Sequence, residues 1–184
     1  MYNQIYKNRE YYNYAKDILR NSEFQRRKTF LHHQDSVYEH SIRVSLLAYR
    51  LSKYLSKYFP ISTKDVVVSA LLHDFYLQPW RECKGKWHGF THGNIACNNA
   101  NNFFSDKMNE TTINSIKCHM FPLTLPPKYY EGWIVTLADK LVSLEVFKKP
   151  TELYKYIGLD NKSIAFDHDI VILSGLNRIR NKLN

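Results

Sequence analysis

Cysteine is scarce in this chain of 184 residues, with three in all, at positions 83, 97 and 118. The set is odd and shows no CxxC spacing, so neither a disulfide framework nor a cysteine-based zinc finger is indicated. Unpaired thiols fit a reducing compartment, and a cytoplasmic location is the expectation. Glycine and proline number six each, too few for a collagen-like or low-complexity chain. No apolar run approaches the roughly 18–20 residues that cross a bilayer, so no membrane partner is expected. Met1-Tyr2-Asn3-Gln4 shows no cationic stretch leading into an apolar one, and no secretory leader is expected. Acidic residues are the minority: 17 Asp and Glu stand against 26 Lys and Arg, a formal net charge of +9. That field favours anionic partners. The cations are dispersed, however, and Arg26-Arg27-Lys28 is the only run of three. The balance is compatible with a small phosphorylated partner and does not point to a nucleic-acid groove. Composition leaves a homo-oligomer open.

What is abundant is ordinary globular material, 44% hydrophobic and 23% charged, in a length that suits one domain with its own core. Helical periodicity dominates. From Val37 to Tyr58, Val44, Leu47, Leu51 and Leu55 recur at three- and four-residue steps, and Pro60 ends the pattern. Thr63-Lys64-Asp65 offers an N-cap to a second helix through Val66, Val67, Ala70 and Leu71 into His73-Asp74. The run Val66–Val68 would also suit a strand, but the cap and the flow into Leu71-Leu72 favour a helix. Gln78 to Gly93, with Pro79, Gly85 and Gly89, reads as a functional loop. Thr91 is the expected cap of a helix carrying His92, and another helix runs from about Glu110 to His119. Glu131 to Phe147 is expected to bury Ile134, Leu137, Ala138, Leu141 and Leu144, and a last helix covers His168 to Lys182. The prediction is an all-α, compact single-domain bundle of seven to nine helices over residues 1–184, with its core at about 30–148.

Metal-type side chains are spread over these separate helices: His40, His73, Asp74, His92, His119 and Asp139. One at a time they are weak signals. Asp139 is the least ordinary, since its neighbours one turn away include Val135, Val142 and Ser143. A carboxylate on such a face costs several kcal/mol, in order of magnitude, unless it is paired or ligates a metal. His73-Asp74 likewise follows directly from the apolar Ala70-Leu71-Leu72. Mixed imidazole and carboxylate donors suit Fe, Mn, Co, Ni or Zn better than Mg.

The order His40, His73-Asp74, Asp139, each in its helical setting (Tyr38-Glu39-His40-Ser41, Leu71-Leu72-His73-Asp74, Leu137-Ala138-Asp139-Lys140), resembles the H…HD…D signature of the HD superfamily of metal-dependent phosphohydrolases. The resemblance covers roughly Phe30 to Lys148. Thr91-His92-Gly93 and His119-Met120-Phe121-Pro122 are similar to the two further ligands of the dinuclear branches, and Pro79–Glu82 with Lys117–Thr124 resembles a group of bacterial HD proteins.

What the resemblance implies is a site for two divalent transition-metal ions. His40, His73, Asp74 and Asp139 would hold the first, and Asp74 would bridge to a second held by His92 and His119. A hydroxide shared by the ions would attack phosphorus, with His73, Asp74 and Arg43 as the catalytic set. Two ions about 3.5–4 Å apart can clamp a phosphoryl group and generate hydroxide near neutral pH, so no Ser or Cys nucleophile is needed. Arg43, one turn after His40, is expected to meet substrate together with Arg81, Lys86, His88 and Lys140. Glu39, Glu82 and Glu131 are candidate acceptors for the ligand histidines. Leu77 stands where many HD enzymes carry Lys or His three residues after the doublet, which leaves the leaving-group assistant open. His168-Asp169 is a second literal doublet, read here as a helix N-terminus with Asp complementing the dipole. The expected function is hydrolysis of a phosphate ester, dinucleoside polyphosphates among the substrates to test. A di-iron oxygenase on the same ligands, recognisable by an iron and O₂ requirement, is one alternative. A non-catalytic nucleotide-binding module is the other, and the complete ligand set argues against it.

Overall fold

The computed structural model describes residues 8–32, 35–78 and 88–147. Among them are seven α-helices: α1 (Arg9–Arg20), α2 (Ser22–Arg26), α3 (Val37–Leu55), α4 (Thr63–Leu72), α5 (His88–Phe104), α6 (Glu110–Cys118) and α7 (Tyr130–Phe147). Short 3₁₀ turns follow α2 (Arg27–Thr29) and α5 (Ser105–Lys107). The one extended feature among the described residues is a two-residue antiparallel ladder, β1 (Leu31–His32) with β2 (Asp35–Ser36), pairing Leu31 with Ser36. The fold is all-α, as the periodicity predicts.

α4 is the axis of the bundle. Every residue from Val66 to Leu72 is buried, as expected of a helix that is apolar all round. Its Val67 and Leu71 join a cluster with Tyr11, Ile18, Phe24, Ile42, Phe75 and Ile116. On the other side, Val66 and Ala70 join Val44, Leu47, Leu51, Ile134, Ala138 and Val142. Each fully buried large aliphatic side chain contributes about 1.5–3 kcal/mol, so α4 is fixed from both sides and its C-terminal end is held rigidly where the two clusters meet. The β-branched valines sit in a helix because this two-sided burial outweighs their modest strand preference.

Several boundaries differ from the sequence reading, and each for a local reason. Ser62, not Thr63, caps α4: its hydroxyl accepts from the Asp65 amide at 3.3 Å. α3 stops at Leu55 rather than Tyr58, because the amide of Tyr58 bonds three residues back to the Leu55 carbonyl and tightens the last turn. α5 starts at His88, so Thr91 lies within the helix and is not its cap. On α7, Ile134, Val135, Ala138 and Val142 face the core, whereas Leu137 and Leu144 are 47% and 57% exposed and Leu141 is half-buried. Asp139 faces the ends of the neighbouring helices. At 100° per residue, Leu137 and Leu144 then fall about 160° and 140° away from it. The expected final helix, at His168–Lys182, lies outside the described residues. No described helix is long and apolar enough to cross a membrane.

Candidate metal centre

Five helices bring one or two polar side chains each to a common point, and the capping chemistry explains why the placement is firm. His40 sits in the first turn of α3, which opens with a capping box: the Ser36 hydroxyl accepts from the Glu39 amide and the Glu39 carboxylate accepts from the Ser36 amide, both at 3.2 Å. His73 and His119 are the C-cap residues of α4 and α6. Each donates Nδ1–H to the carbonyl three residues back, His73 to Ala70 at 2.8 Å and His119 to Ile116 at 2.7 Å. Helix ends leave carbonyls without intrahelical partners. The imidazole takes up one of them, and its Nε2 is thereby aimed outward from the helix end.

All six predicted residues meet there. Asp139 Oδ1 lies 3.1 Å from His40 Nε2 and 3.6 Å from His73 Nε2. Asp74 divides its oxygens: Oδ2 is 3.4 Å from His73 Nε2 and 3.9 Å from His40 Nε2, while Oδ1 is 2.6 Å from His92 Nε2 and 3.7 Å from His119 Nε2. The rings of His73 and His119 are 5.0 Å apart, and those of His92 and His119 are 5.1 Å apart. Five of the six residues are buried, and the Asp139 side chain keeps 14% of its surface exposed, one edge toward solvent. Ser143 adds a hydroxyl donated to Asp139 Oδ1 at 3.3 Å.

The electrostatics call for a cation. Burial works to raise both carboxylates, yet the surrounding imidazoles outweigh it and hold Asp74 and Asp139 well below the usual range. Burial works to lower His73, but the charge of Asp74 and the approach and charge of Asp139 overcome it and push His73 up to about 9. His119 goes the other way, to about 4, through burial and the like charge of His73. A site that raises one imidazole and lowers its neighbour favours positive charge at one point, a demand that a bound metal ion could meet in place of the proton. The partly negative C-terminal ends of α4 and α6 add to the same demand. Most telling are the buried Nε2 atoms of His73 and His119, which engage no hydrogen bond. Two overlapping groups, His40–His73–Asp139 and His73–Asp74–His119, have ligand atoms within 4.8 Å of one another and could each hold an ion. The donor set fits the metal that the sequence implies.

A family profile described as the HD domain matches residues 37–144, more than half of the chain. The chain belongs to the HD-domain family. The matched HD segment starts at the first residue of α3 and ends within α7, so it contains all six residues. HD domains generally act as metal-dependent phosphohydrolases. Curated proteins and solved structures give no significant match to the chain.

The other residues expected around this HD site are described only in part. Arg43 lies half-buried on α3, one turn after His40. The Lys140 ammonium donates to the Phe121 carbonyl at 2.5 Å and so fastens α7 to the turn after His119. Leu77 packs against the core. Arg81 and Lys86 lie outside the described residues, as do Trp80, Glu82, Cys83, Trp87, His33, His168 and Asp169. His88 opens α5, and its side chain is likewise outside the description. Of the suggested acceptors, Glu39 serves the α3 cap, and Glu131 accepts from the Ser62 amide at 2.7 Å, joining the starts of α4 and α7. The acceptors that orient His73 and His119 are backbone carbonyls instead.

Three contributors escaped the sequence reading. Tyr76 stacks edge-on against His92 at 4.9 Å and donates its hydroxyl to the His92 carbonyl at 3.2 Å. Gly93 lets α5 touch the end of α6: a Cβ there would lie 2.5 Å from the Lys117 carbonyl oxygen and 2.7 Å from that of Ile116. A glycine directly after a candidate ligand inside a helix was the available signal for that close approach. Arg27, a member of the only run of three cations, is fully buried.

Proposed function

We propose that this HD domain hydrolyses a phosphate ester of a small molecule, a nucleotide being the first class to test. His40, His73, Asp74 and Asp139 would hold one divalent transition-metal ion, and Asp74, His92 and His119 a second. The observation that carries the reading is the division of Asp74, whose two oxygens face two different sets of imidazoles. A carboxylate so placed could serve as a ligand on both sides of the site. Bound divalent ions supply Lewis-acid charge that acidifies water and neutralises the phosphoryl oxygens. The protein's own part is to keep the donors dry, fix the His73 and His119 tautomers through the Ala70 and Ile116 carbonyls, and leave the Asp139 edge open for substrate entry. The formal charge of +9 favours the approach of an anionic substrate.

The test is elemental analysis of the purified protein, followed by phosphate release from nucleoside monophosphates, dinucleoside polyphosphates and aryl phosphates. The protein is loaded with Mn²⁺ or Co²⁺ and kept free of O₂. Turnover that disappears in Asp74→Asn is the expected result. Two ions bound per chain with no turnover on any of these esters overturns the proposal.

A further inference from the structure

Arg27 is the largest fully buried side chain among the described residues. It sits in the 3₁₀ turn after α2, and two aromatic rings lie against its guanidinium: Phe24, with Cζ 4.2 Å from the ring centroid, and Phe75, at 4.0 Å. Such contacts attract a cation, but they engage the π face of a ring and satisfy none of the five N–H bonds, which lie in the guanidinium plane. None of Nε, Nη1 and Nη2 has a hydrogen-bond partner. Buried donors without partners are strongly disfavoured.

Two other kinds of group on buried side chains have a ready account. The Nε2 atoms of His73 and His119 face the place of a cation, and helical Ser and Thr hydroxyls can turn back to a carbonyl of the preceding turn. A guanidinium has no such recourse, because it only donates. Its location is specific as well. Phe75, which covers it, is the residue directly after Asp74, and burial lowers the Arg27 pKa to about 9 while the charge of Asp74 acts to raise it. Arg27 thus packs on the residue next to Asp74.

We propose that Arg27 is the oxyanion anchor of this HD domain, receiving the phosphate group of the substrate along the edge of its guanidinium plane. The inference rests on the phosphate-ester reading above and names a contact for it. A planar fork matches two oxygens of a phosphate at once. The flanking Phe24 and Phe75 rings hold the fork in one orientation, and the anion supplies the acceptors that the protein does not.

The decisive measurement uses the intact, metal-loaded chain. In ¹⁵N-labelled protein the Arg27 Nε–H resonance, assigned by its loss in Arg27→Lys, shifts on titration with inorganic phosphate and stays in place with chloride at equal ionic strength. In Arg27→Met the inhibition constant of phosphate rises at least tenfold and kcat/KM for a phosphate ester falls, with metal content unchanged. Arg27→Lys does not restore phosphate inhibition, because it keeps the charge and loses the fork. An Arg27 resonance indifferent to phosphate, or an Arg27→Met protein with wild-type phosphate inhibition, overturns the anchor and makes Arg27 a core cation only. Should Arg27→Met fail to fold, the wild-type titration decides alone. If the wild-type enzyme turns over esters and Arg27→Met does so equally well, only the anchor fails. If the wild type releases no phosphate from any ester, the catalytic reading fails, and the phosphate titration still reports on Arg27.

Discussion

Asp74 spans two environments with one carboxylate, Oδ1 against His92 and His119 and Oδ2 against His73 and His40. Asparagine keeps its shape but gives up the charge and one acceptor. Asp74→Asn is expected to bind fewer ions than wild type by elemental analysis and to lose roughly 100-fold or more of the phosphate-releasing activity. The imidazoles carry their own prediction, for metal-free protein. His119 is lowered to about 4 from 6.5, so between those values the unfolded chain binds the extra proton and stability rises with pH. His73 is raised to about 9 from 6.5, so above 6.5 the folded chain holds the extra proton and stability falls as pH rises. The melting temperature of the chelated protein should therefore peak near pH 6.5, as read by calorimetry in chelating buffer. A flat profile would remove the electrostatic account of the site.

At the scale of elements, the centre is made by helix ends. α4 and α6 each finish in a histidine that takes up a carbonyl of its own last turn, and α3 begins with a capping box four residues before His40. Gly93 is where α5 meets the end of α6. In Gly93→Ala the new methyl meets the carbonyl oxygens of Lys117 and Ile116, and the second of these is the acceptor that orients His119. Backbone cannot rotate aside as a side chain can. Overpacking of this kind costs about 1–3 kcal/mol, so the urea midpoint should fall, and metal affinity should weaken along with it as His92 and His119 are pushed apart. The helices and most of their residue types were legible in the sequence, because burial of one helix face imposes a period that can be counted. Thr91 and Thr63 were misjudged as caps because a capping preference is a small local energy that the continuation of a helix upstream overrides. Leu137 and Leu144 were misjudged as core because periodicity does not say which of two adjacent apolar stripes turns inward.

The whole molecule is cationic, with a net charge of +9, yet its buried centre gathers two carboxylates and two helix C-termini. A cation held by the proposed ligands would join helices distant in the chain, so occupancy should stabilise the bundle. A ligand at 100 times its dissociation constant adds about 2.7 kcal/mol when it binds only the folded state. Chelation should lower the melting temperature, and Mn²⁺, Co²⁺ or Zn²⁺ should restore it. Mg²⁺ should do so weakly, because imidazole donors suit it poorly. Thermal scans across these ions check the order.

The sequence by itself determined that the chain is helical, which six side chains were candidates for a metal site, and in what order they follow, since helicity is a matter of period and the candidates were marked by residue type and by their resemblance to the HD signature. Only the tertiary structure decided that Asp74 would face two ways, that His73 and His119 would be oriented by carbonyls rather than by Glu39 or Glu131, and that Arg27 would be buried with its donors unmet. The reason is geometric. Local energies choose the conformation of a segment, whereas the distance between two side chains far apart in the chain is set by how several helices pack at once, and no short stretch of residues contains that information.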